Sequence, residues 1–270
     1  MKGFNVEMNF SKSLITLILW GFVLTGLWSV PIQIGTGSLL SRSLPVEPVA
    51  QYSYSQSIYT AAEVGSGGVI SHLGWQYQVG SSIFLDFTNQ YSIYLGTTSR
   101  QQFTSNTDYL PLDSLSLVFS GNLLPAWFSS PLPGNGWLTL PLDTAYNYSG
   151  SGNLVIAVDE NMPGYSATSD DFYCHNTAQS VSIEFHSATV NPDPNAPPPA
   201  NAGNPLSLRP NLRLEIEPVI YLPYNPTPAD QANEVARTPE LSWQSSAQNW
   251  DVYFAETGYP LLQIAAGITQ

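Results

Sequence analysis

Apolar and polar positions along this chain alternate with a period of two rather than 3.6, and from Pro31 onward no stretch sustains a helical repeat. Short apolar runs recur instead between clusters of Gly, Pro, Asn and Ser, the spacing of a β-sandwich or barrel. These runs predict strands over 32–36, 56–64, 69–79, 91–96, 116–120, 137–142, 153–159, 181–186 and 212–216. Within 69–79, His72, Gly74, Gln76 and Gln78 share one face while Leu73, Trp75, Tyr77 and Val79 share the other, so the second face is core. Leu154, Val155, Ile156, Ala157 and Val158 are apolar without a break, which predicts a central strand covered on both sides. The glycine-bearing segments 65–68, 134–136 and 149–152 supply the backbone freedom that tight hairpins need.

Ahead of the strands, residues 14–28 read LITLILWGFVLTGLW, an uncharged apolar run of 15 residues preceded by Lys12 and Lys2. It is too short for a comfortable membrane span and has the charge order of a secretory signal peptide. Cleavage is expected after Ser29, which makes 1–29 the signal. Leu27 is large for its place relative to that cut, so an uncleaved anchor is the alternative. Either way the remaining chain lies outside the cytoplasmic membrane, secreted or on the cell surface, and meets a membrane only through this segment.

The proline density of 191–210 excludes helix and central strand there. We read it as a long loop before a last strand that closes a domain over 31–217. A second proline-marked segment, 218–235, reads as a linker. Beyond it, 238–243 and 250–254 predict two strands whose P-x-L-x-W and W-x-V-Y patterns resemble the opening of a fibronectin type III or immunoglobulin-like domain. Such a domain takes about 100 residues and seven strands, so 236–270 is expected to be an incomplete copy and the chain a fragment of a longer protein. The expected fold class is all-β: an antiparallel, jelly-roll-like β-sandwich followed by that incomplete second sandwich.

Charge narrows the partners. The formal net charge is −13, and both lysines fall in the first dozen residues. So acidic a body repels phosphate backbones, and nucleic acid is not an expected partner. Cys174 is the single cysteine, so no intrachain disulfide can form and stability must come from the core.

Several segments carry a family resemblance: IQIGTG at 32–37, YSYSQSIYTAAEVG at 52–65, YSIYLGTTSRQQFTSNTDYLPL at 91–112, LVFSG at 117–121 and NYSGSGNLVIAVDENMPGYS at 147–166. In this order they resemble the N-terminal module of large secreted and surface proteins of Bacteroidetes-like and Cloacimonetes-like bacteria. The resemblance implies a module placed ahead of fibronectin-like repeats, with no catalytic residues to carry over.

Candidate chemistry is sparse. The sequence contains no G-x-S-x-G elbow, H-E-x-x-H motif, P-loop or dinucleotide fingerprint. His72, His175 and His186 lack partners at ligand or triad spacing and read as surface or strand-end residues. The acids are more suggestive. Asp159, Glu160 and Asn161 are expected to leave the buried strand at a loop, with Asp170 and Asp171 following, and together they form a candidate calcium site because calcium takes six to eight loop oxygens. Ordinary solvated loop acids are one alternative, and a glycosidase-type carboxylate pair about 5–9 Å apart is another. Tyr52 with Tyr54, and Trp75 with Tyr77, offer flat rings for sugar, although most aromatics of a sandwich belong to its core. The function expected from all this is a noncatalytic extracellular or cell-surface binding or adhesion module whose partner is carbohydrate or a surface protein. An accessory domain of a secreted glycosidase or peptidase and a structural spacer are the alternatives.

Overall fold

A computed structural model describes residues 4–5, 31–41, 43–47, 49–80, 90–161, 170–196, 203–217, 224–227, 240–244, 249–254 and 262–269. The candidate export segment 14–28 lies outside the described residues. The chain divides into two compact units, Trp28–Val219 and Met1–Leu27 with Ile220–Gln270.

The strands run in chain order as β1 (Phe4–Asn5), β2 (Ile32–Ile34), β3 (Leu39–Ser41), β4 (Tyr52–Tyr59), β5 (Gly68–Val79), β6 (Tyr91–Thr98) and β7 (Ser116–Gly121). They continue as β8 (Gly134–Tyr148), β9 (Asn153–Asn161), β10 (Asp170–Asn176), β11 (Ser182–Ser187), β12 (Asn204–Leu206), β13 (Leu208–Pro210) and β14 (Leu212–Glu217). The last four are β15 (Tyr224–Thr227), β16 (Glu240–Gln244), β17 (Asn249–Phe254) and β18 (Leu262–Thr269). A short α-helix, α1 (Ala61–Val64), follows β4.

The larger unit is an antiparallel sandwich of two sheets. A seven-stranded sheet has the order β13-β10-β5-β14-β2, with β3 also on β10 and β8 also on β5; a six-stranded sheet has the order β12-β11-β4-β9-β6-β7. The main core fills the space between them. Leu73, Trp75, Tyr77, Leu138, Leu140, Leu212 and Leu214 from the first sheet meet Tyr59, Ile93, Leu95, Leu154, Ile156 and Val158 from the second. A smaller core lies on the other side of the six-stranded sheet, where Tyr54, Ile58, Val155, Ala157, Ile183 and Phe185 are covered by Phe103, Tyr109 and Leu110. The unbroken apolar run of β9 is thus explained, since alternate residues serve the two cores. Each Leu, Ile or Val of that run contributes about 1.5–3 kcal/mol of burial.

Four local features differ from the sequence reading. The strand expected over 56–64 ends at Tyr59, because Thr60 caps α1: Glu63 N donates to Thr60 Oγ1 at 3.3 Å and Thr60 N to Glu63 Oε2 at 2.8 Å, a reciprocal capping box. The strand over 137–142 extends to the whole of β8, with an irregularity in its pairing to β5 between Ile70 and His72. β10 was not expected; its Phe172 and Cys174 alternate inward. Proline-bearing β12 and β13 stand at the borders of the two sheets, where a missing N–H breaks no ladder.

The glycines of IQIGTG have a packing role. A Cβ on Gly35 would strike His175 Nδ1, and one on Gly37 would strike the Cys174 carbonyl; Gly35 also has φ of 85°. The turn after β2 can therefore lie directly on β10.

In the smaller unit, β16 pairs with β15 and β1, and β17 pairs with β18. The strands expected over 238–243 and 250–254 appear as β16 and β17, while the stretch expected as linker contributes β15.

Candidate binding face

The outer face of the seven-stranded sheet follows from its register, because residues paired across an antiparallel ladder share a face. Gln78 pairs with Asn135 on one side and Asp171 on the other, and Gln76 pairs with Trp137. In the next row Gly74 stands between Arg213 and Thr139, with Gln33 beyond Arg213; in the row after it, His72 stands between Glu215 and Pro141. All of these point away from the core that Leu73, Trp75 and Tyr77 enter.

The side chains of this face are tied to one another. Arg213 donates from Nε and Nη2 to Gln33 Oε1 at 3.1 and 3.0 Å, and its guanidinium carbon lies 3.9 Å from the centre of the Trp137 ring. Tyr173 OH donates to Gln78 Oε1 at 2.8 Å, and Asn211 Nδ2 to Gln76 Oε1 at 2.8 Å. His72 Nδ1 sits 3.1 Å from Glu215 Oε2. The result is a patch of planar amides, an indole, a phenol and a guanidinium, held in place by neighbours.

Sequence reasoning placed the aromatic platform elsewhere. Tyr54, Trp75 and Tyr77 are 1%, 3% and 0% exposed and belong to the cores, because the face of β5 that carries Trp75 and Tyr77 is the inner one. Trp137 and Tyr173 were missed. The alternation of Leu138 and Leu140 inward was the signal that Trp137 points outward.

The histidines are each engaged. His175 is half-buried, with Nε2 3.1 Å from Arg209 Nη2 and Nδ1 3.1 Å from Asn211 Oδ1. Arginine can only donate, so Nε2 accepts and Nδ1–H donates to Asn211. Burial first, and then the charge of Arg209, lower the His175 pKa, in keeping with a neutral ring. Arg209 is itself buried; it donates to Ile58 O at 2.7 Å, clasps Glu63 at 2.6 and 3.1 Å and covers the Tyr59 ring. His186 Nδ1 lies 2.8 Å from Glu184 Oε2, and that hydrogen bond raises its pKa. Cys174 is fully buried, and burial pushes its thiol up to about 12.

The five acids and amides expected to gather in one loop do not do so. Asp159, Glu160 and Asn161 continue β9, where alternation turns Asp159 toward the Tyr54 side and Glu160 toward the Ser53 side. Asp170 and Asp171 begin β10 in the other sheet, paired with Val79 and Gln78. Among the described residues no group of three His, Cys, Asp or Glu side chains is placed to hold a metal ion. The same divergence separates Asp159 and Glu160 as a carboxylate pair. Glu160 is completely buried, takes the hydroxyl hydrogen of Ser53 on Oε2, and is raised by burial to about 8.

No family model matches the chain, and no curated protein matches it.

Proposed function

We propose that residues 31–217 form a noncatalytic binding module of an exported surface or secreted protein, and that its ligand is a carbohydrate. The observation that carries this reading is the outer face of the seven-stranded sheet, where Trp137, Arg213, Gln76, Gln78 and Tyr173 present flat, hydrogen-bonding groups. Sugars offer apolar C–H faces and rims of hydroxyls, and a rigid face of rings and amides suits both at low entropic cost. Export rests on the apolar run at 14–28 and its flanking lysines.

A glycan array probed with the purified chain tests the reading. Retention of one glycan class is expected, together with at least a tenfold loss on Trp137→Ala and on Gln76→Ala. Retention of nothing, or variants that bind as the parent does, would count against it.

A further inference from the structure

Asp159 is 4% exposed, and among the described residues its Oδ1 has no hydrogen-bond partner. Oδ2 accepts from Asn161 Nδ2 at 2.7 Å, and Asn161 Oδ1 accepts from Asn191 Nδ2 at 2.7 Å. The Asp-x-Asn end of β9 is thereby joined to an Asn-x-Asp loop that carries Asp193. Asp193 is exposed and fixed in a turn: its Oδ1 accepts from Asn195 N at 2.9 Å and Asn195 Nδ2 at 3.1 Å. Neither acid is in an ion pair with Arg100 or Arg209, whose carboxylates are Asp108 and Glu63. The charge of Asp193 is felt at Asp159, adding to burial in raising its pKa to about 6.

A buried carboxylate oxygen without a partner is costly, and a second carboxylate beside it increases the cost unless a cation or proton intervenes. We propose that a calcium ion binds between Asp159 and Asp193, with amide or carbonyl oxygens of the Asn161–Asn191 pair in its shell. The donor set is all hard oxygen, without imidazole or thiolate, which suits calcium and not a transition metal. Only two carboxylates, one buried and one exposed, give the weak end of the range, about 10⁻⁴–10⁻³ M, as in extracellular modules. The site lies on the six-stranded sheet and does not depend on the glycan reading.

The test is thermal unfolding and terbium luminescence of the full chain, with Tyr54 and Tyr94 beside Asp159 as sensitisers. Calcium at about 5 mM should raise Tm, and terbium should luminesce and be displaced by calcium. Asp193→Asn, on an exposed turn that the core does not need, should weaken binding at least tenfold. Asp113→Asn, another exposed acid, should leave it unchanged. The proposal is overturned if calcium leaves the melt unmoved, if sodium chloride at matched ionic strength reproduces the whole shift, if Asp193→Asn responds as the parent does, or if Asp113→Asn loses as much.

Discussion

Arg213 reaches Trp137 across an intervening strand, and Gly74 is what lets it pass. β14 and β8 flank β5, and the guanidinium of one lies over the ring of the other because the residue between them, paired with both Arg213 and Thr139, has no side chain. A Cβ there would already stand 3.3 Å from Arg213 Cβ and Thr139 Oγ1. Gly74→Leu should therefore part Arg213 from Trp137 and cost about 1–3 kcal/mol through overpacking. A red shift of the indole emission and a lowered urea midpoint would report it. Unchanged fluorescence would mean that the contact does not need the gap.

Glu63 links stability to acid. Burial alone would raise its pKa, but hydrogen bonds from Arg209 and Thr60 outweigh burial and hold it at about 2, against an ordinary value of 4.5. An acid lowered in the folded state binds fewer protons there than in the unfolded chain, so its stabilisation is complete above the unfolded value and is lost as pH falls through the folded one. The window is pH 4.5 down to about 2. Because the Glu63 side chain is 36% exposed, water screens the pair, and about 1 kcal/mol is the expected size. Glu63→Gln should be less stable than the parent near neutrality and should flatten this limb of the curve. Parallel acid limbs would assign the linkage to another group.

Thr60 holds the same junction from the other side. Thr60→Ala removes the acceptor for Glu63 N and should cost about 1 kcal/mol, with Thr60→Ser recovering most of it. Denaturant melts of the three proteins decide the matter, and equal midpoints would show that α1 does not need its cap.

Gly35→Ala should be among the most damaging single changes in the turn after β2. It combines a left-handed backbone with a collision on His175, whose ring is fixed by Arg209 and Asn211. A loss of about 2 kcal/mol or more is expected by thermal melting. His175→Ala in the same chain should recover part of it by opening the space.

The parts of the fold that could be read from residues are those where one periodicity ruled. Alternation in β5 and the unbroken apolar run of β9 located the inner faces correctly, because burial on one side or both leaves a direct imprint on composition. Alternation also explains the failures. Asp159 and Glu160 looked like a pair because they are adjacent, but on a strand adjacency means opposite faces. Trp75 and Tyr77 looked like a platform because they share a face, but that face is the one the alternation of β5 assigns to the core. Thr60 and Glu63 were legible as a capping box and were passed over inside an apolar run. Arg209, His175 and Asn211 come from distant positions, and no local pattern announces that they meet.

Pro205 and Pro210 give the borders of the two sheets a property that matters beyond this molecule. Each lies in a terminal strand of its sheet, and a proline there offers no donor to a newcomer. On those rims the ladder is a poor template for further chains, which guards a protein whose described residues are mostly strand against growing into fibrils.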